Sequence, residues 1–157
     1  MTSEQPHDFN DLGSLDLAAG PPYSDDQLLA VLQSVSKIAV VGASANPEKA
    51  AHRIPQILIE AGFDVIPVNP TVEELFGLVT YPSLADIPQD VDLVDVFRPS
   101  DELPEIARNA VEIGARGMWA QLGLRSEEAR QIAQDGGLFY LEDVCIGAEV
   151  RRLGFRK

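Results

Sequence analysis

The sequence predicts an α/β fold: a Rossmann-like, doubly wound parallel sheet of about five to six strands in the order 3-2-1-4-5. Three observations lead there. Apolar runs such as KIAVVG, FDVIPV and DLVDVF alternate with helical patterns of about 10–15 residues, as in strands buried on both faces by crossover helices. Right-handed crossovers leave few ways to arrange such units. The first run ends at Gly42, and a small-residue loop then opens into a helix, IAVVGASANPEKAAHR, a layout that suits an anion at the helix start.

Residues 1 to 22 read as a poorly ordered acidic leader ending in Pro21-Pro22, and residues 23 to 157 as one Rossmann-like domain. Ser24-Asp25-Asp26 reads as a helix start, followed by Leu28, Leu29, Leu32 and Val35 at helical spacing. The first strand is KIAVVG, and residues 48 to 61 form the next helix. FDVIPV is the second strand, VEELFG a short acidic turn of helix, and LVTYP a weak third strand. DLVDVF is a strand and DELPEIARNAVEIGA a helix. RGMWAQ is a strand, SEEARQIAQDGG a helix capped by Ser126, LFYLE the last strand, and residues 143 to 153 the closing helix. Pro55 and Pro104 are both expected near the first turn of their helices, where a missing N–H costs little.

The chain of 157 residues carries a net charge of −13, which argues against nucleic acid or an anionic membrane as the main partner. No run approaches the ~20 apolar residues of a spanning helix, and the acidic N-terminus lacks the pattern of a secretory signal. The single cysteine, Cys145, cannot form an internal disulfide, which fits a cytoplasmic location. Two scattered histidines and one cysteine suggest no metal site.

In the predicted order the chain changes direction between the strands Lys37–Val41 and Asp92–Phe97, and ligands of such sheets settle at that switch point. Gly42, Ala43 and Ser44 would then face Phe97, Arg98 and Pro99. The first loop offers backbone N–H groups and a hydroxyl for a phosphate, against a plain strand-to-helix turn. Lys49, His52 and Arg53 place three bases within five residues of an acidic chain, which favours an anion site. Asn69 follows the second strand where NAD enzymes usually carry an acid. A neutral residue tolerates a phosphate on the adenosine ribose, although Asn-Pro also ends strands for backbone reasons. Arg98 suits a phosphate or carbonyl clamp, against an ion pair with Asp95 or Asp101. Trp119 reads as core, with Gln121 and Gly123 candidates for the border of the ligand. Cys145, near the last helix start, reads as a small hydrophobe rather than a nucleophile, since no histidine partner is evident.

Taken in order, VVGAS…NPEK…R, VIPVNP, YPSLADIP, VDLVDVFRPSD, WAQLGL and DVCIGAEVRRL resemble the small stand-alone CoA-binding proteins, which are similar to the CoA-binding domain of succinyl-CoA synthetase. The resemblance covers about residues 24 to 154. It implies CoA or acyl-CoA as ligand, with Gly42, Ala43 and Ser44 around the phosphates. It also implies Val68, Asn69 and Pro70 near the adenosine, and Phe97, Arg98 and Pro99 along the pantetheine. Two departures are Ala51-His52, where family members often have Ser-Tyr, and Asp143-Val144-Cys145, where they have Asp-Arg-Cys. The expected function is non-catalytic CoA binding, because no activated nucleophile with its base is evident in the predicted mouth. The alternatives are a nicotinamide-dependent oxidoreductase, a component of a CoA ligase completed by a partner chain, or an interaction module with a vestigial pocket.

Overall fold

The computed structural model describes residues 17–157. Its strands in chain order are β1 (Lys37–Val41), β2 (Asp64–Val68), β3 (Glu74–Leu75), β4 (Leu78–Val79), β5 (Leu93–Val96), β6 (Gly117–Ala120) and β7 (Phe139–Leu141). Five of them form one parallel sheet in the order β2-β1-β5-β6-β7. Helices cover both faces. On one lie α1 (Asp25–Ser34), α2 (Ala50–Glu60) and α5 (Ile146–Leu153), which bury Leu32, Leu58 and Ile146 against Ile38, Leu93 and Trp119. On the other lie α3 (Leu103–Glu112) and α4 (Glu127–Asp135), which set Ile106, Ala110 and Ala133 against Val94, Met118 and Tyr140. The fold is Rossmann-like, and the chain switches direction between β1 and β5, the neighbours of Val41 being Val68 on one side and Val96 on the other.

Local chemistry sets the helix ends. Ser24 and Gln27 close a reciprocal capping box at α1, each side chain accepting from the other's backbone N–H at 3.1 and 2.7 Å. Ser126 caps α4 by accepting from the Ala129 N–H at 3.0 Å. Within the expected leader, residues 1 to 16 lie outside the described residues. Leu17–Ala19 forms a 3-10 turn beside β7 and buries Leu17, while the Ala18 carbonyl accepts from Arg130 at 2.8 Å.

Two local expectations change. VEELFG is not helical: β3 pairs antiparallel with β4. Phe76 and Gly77 connect them with φ of 56° and 73°, the two positive values of a tight hairpin turn. The Phe76 ring, 5.0 Å from that of His52, packs on the core and holds this uncommon conformation. The weak third strand shrinks to a single parallel bridge, Val68 to Tyr81. The Pro67 carbonyl accepts from Tyr81, so its backbone faces that edge without an N–H to give, and Pro82 ends the pairing one residue later. Among the described residues no helix is long and apolar enough to cross a membrane.

Candidate functional site

The carboxyl ends of β1 and β5 bring the glycine and arginine corners together. Gly42 leaves β1 with φ +90°, and a Cβ there would lie 2.7 Å from the Phe97 carbonyl oxygen and 3.0 Å from Arg98 Cδ. Glycine is therefore required twice, by its backbone angle and by the loop pressed against it. The Gly42 N–H donates to the Val68 carbonyl at 3.1 Å, and the Phe97 N–H to the Val41 carbonyl at 2.9 Å. Asn69 ties in the third loop, its amide donating to the Ala43 carbonyl at 2.8 Å. Its side-chain oxygen accepts from the Thr71 N–H and hydroxyl at 2.7 and 2.8 Å. Asn69 thus clamps two loops with the side chain that the resemblance places near the adenosine.

The loop between Gly42 and α2 is held from the helix side. Pro55 lies in the interior of α2 rather than its first turn. It has no N–H for the carbonyl four residues back, that of Ala51. That carbonyl instead accepts the Ser44 N–H at 3.1 Å. His52 grips the same residue, Nδ1 standing 2.7 Å from the Ser44 carbonyl oxygen. Because a carbonyl only accepts, Nδ1 carries the proton. Ser44 Oγ accepts from the Asn46 N–H at 3.0 Å, and Asn46 Oδ1 from the Glu48 N–H at 2.9 Å. Arg53 turns back to the loop and donates to the Glu48 carbonyl at 2.6 Å.

A cavity of about 470 Å³ opens between these loops, within the range of small-molecule sites. Of the sequence-predicted residues, Gly42, Ala43, Ser44, Lys49, Val68, Asn69, Pro70 and Arg98 line it. His52, Arg53, Phe97 and Pro99 do not: the first two brace the loop, Phe97 packs on the core, and Pro99 precedes the turn Ser100–Glu102. Sequence reasoning missed Thr71, held at the rim by Asn69, Pro82, Ser83 and Leu84, which follow the Tyr81 bridge, and Glu102, Ile106 and Asn109 along α3 and its cap. The i, i+4 spacing from Arg98 to Glu102 is the one signal that could have flagged an acid here.

Arg98 pairs with Glu102, Nε and Nη2 reaching the two carboxylate oxygens at 2.9 and 2.8 Å. The partner foreseen was Asp95 or Asp101. The bond to Glu102 raises the Arg98 pKa, and the same bond holds the Glu102 carboxyl below its usual range. Among the described residues the Lys49 ammonium has no acidic partner within ion-pair distance. The cleft therefore presents one unpaired cation and one cation held by an exposed carboxylate.

A family model, CoA binding domain, matches residues 36–151. The chain belongs to the CoA-binding domain family. Uncharacterized protein YneT of Bacillus subtilis is 39% identical over 123 residues, spanning 78% of this chain and 91% of YneT. Acetate–CoA ligase (ADP-forming) II of Archaeoglobus fulgidus is 32% identical over 99 residues, 62% of this chain but 15% of the ligase. A hypothetical protein from Pyrococcus horikoshii OT3 superposes with a TM-score of 0.80 at 33% identity, covering 98% of this chain and 99% of that one. The family's small members and its ligase relatives thus share this domain, which is a minor part of the ligase's length.

Residues outside the cleft resolve into structural parts. Trp119 is fully buried, and its indole N–H donates to the Val144 carbonyl at 2.8 Å. Gln121 and Gly123 stand away from the cavity lining. Gln121 joins buried Asp95 to the start of α5, and the Gly123 N–H donates to Asp143 at 2.6 Å. Cys145 is half-buried and caps α5, Sγ accepting from the Ala148 N–H at 3.4 Å. Val144 packs on the core.

Proposed function

We propose that this protein binds coenzyme A or an acyl-CoA, without reacting on it, in the cleft between the Gly42 and Arg98 corners. One observation carries the reading: in a member of the CoA-binding domain family, both loops of the switch point line a single cavity with Lys49 and Arg98 at its rim. CoA is a 3′-phosphorylated ADP with a long neutral arm. A cleft with two cations, backbone at close quarters and no acid after β2 fits that chemistry. The titratable side chains of the lining are Lys49, Arg98 and Glu102, which make no nucleophile–base pair. Kinship with ADP-forming acetate–CoA ligases favours one second reading, a ligase component completed by another chain.

Calorimetry with CoA, dephospho-CoA and NAD in parallel tests the proposal. CoA is expected to bind most tightly, and Lys49→Ala to weaken it by about 1–3 kcal/mol, the worth of a hydrogen bond to a charged group. Absent heat for CoA, or equal affinity for all three, rejects the reading. Turnover of acetate, CoA and ATP by the purified protein alone would reject the non-catalytic part.

A further inference from the structure

We propose that Glu102 is a built-in counter-anion, which holds Arg98 until a ligand phosphate displaces it. The inference rests on the cleft being a CoA site and adds to it a residue that sets what the arginine corner admits.

The Arg98 stem passes beside the glycine turn, its Cδ lying 3.0 Å from where a Gly42 side chain would begin. Its guanidinium offers Nε and Nη2 as a fork. Glu102 fills that fork with both oxygens, the two-oxygen grip that a phosphate also uses. Glu102 has no competing task on its own helix. It occupies the N-cap position of α3, and its side chain makes no capping bond. Both side chains remain open to solvent, at 46% and 42% exposure, so the pair is weak and exchangeable. A phosphate oxygen pair with greater charge than a carboxylate displaces Glu102; a neutral hydroxyl or amide cannot. Glu102 thus biases the corner toward the phosphorylated end of a ligand.

The test is calorimetric titration of CoA into wild type, Glu102→Gln and Glu102→Asp. Glutamine removes the charge. Aspartate keeps the charge but, one methylene shorter, loses the two-oxygen grip on Arg98. Both variants are expected to bind CoA more tightly, Glu102→Asp about threefold by relief of the ion pair alone and Glu102→Gln up to about tenfold by relief of the pair and its field. If Glu102→Gln gains while Glu102→Asp matches wild type, Glu102 merely repels the ligand and the proposal falls. If wild type binds CoA and neither variant differs, the proposal falls while the CoA reading stands. If none of the three binds CoA, both fall together.

Discussion

Replacing Asp95 with asparagine should stabilise the protein increasingly as pH rises. Asp95 sits in the middle of the sheet at zero exposure, in register with Val40 on one side and Trp119 on the other. One oxygen accepts from the Gln121 amide, and the other has no partner among the described residues. Burial pushes its pKa up to about 8 from an ordinary 3.8, against the opposing pull of the Gln121 bond. Between those values the folded chain holds a proton that the unfolded chain has released. Stability contributed by this group is therefore present below about pH 4, falls as pH rises toward 8, and levels off above. The slope is about 1.4 kcal/mol per pH unit, which gives a loss of roughly 3–4 kcal/mol between pH 5 and pH 8. The amide of an Asp95→Asn variant would be uncharged throughout, and its oxygen would still accept from Gln121. Urea denaturation of both proteins at the two pH values isolates the effect, because every other titrating group is common to the pair. The gap should widen by roughly 3–4 kcal/mol from pH 5 to pH 8. A gap that stays constant across the range refutes the protonated carboxyl.

Two substitutions probe how the cleft is built. Gly42→Ala places a Cβ 2.7 Å from the Phe97 carbonyl oxygen at φ +90°. It should cost about 2–4 kcal/mol in urea denaturation and lower CoA affinity, and a cost under about 0.5 kcal/mol would mean that the two loops part freely. Pro55→Ala restores an N–H that competes for the Ala51 carbonyl, so the Ser44 amide should exchange with solvent at least about tenfold faster. Unchanged protection at Ser44 would show that its bond to Ala51 needs no proline.

The doubly wound sheet was legible because alternation of apolar runs and helical patterns is a period signal, and every parallel strand of the sheet carries it. The hairpin at Glu74–Val79 escaped because Phe76 takes a positive φ that tertiary packing on His52 supports, and no local rule assigns a phenylalanine there. At the cleft, the two loops singled out by sequence pattern do line one cavity, but several of their polar side chains are turned to the backbone. Lys49, His52 and Arg53 lie close in sequence, yet α2 turns them in different directions: Lys49 to the cavity, His52 to the Ser44 carbonyl, Arg53 to the Glu48 carbonyl. Asn69 likewise spends its amide on Ala43.

These choices share one cause. A loop that offers backbone to an anion must hold its shape without that anion, because each loose residue would add an ordering cost of about 1–2 kcal/mol on binding. Asn69, His52, Arg53 and the carbonyl released by Pro55 together hold residues 43 to 48 in place before any ligand arrives. Arg98 is held in the same way by Glu102, with the difference that this brace is itself an anion and occupies a cation of the cavity lining. A brace that grips backbone can stay when an anion binds, whereas one that fills a cation the anion would use must move. That distinction makes Glu102, unlike Asn69 or His52, the residue whose loss should strengthen binding rather than weaken it.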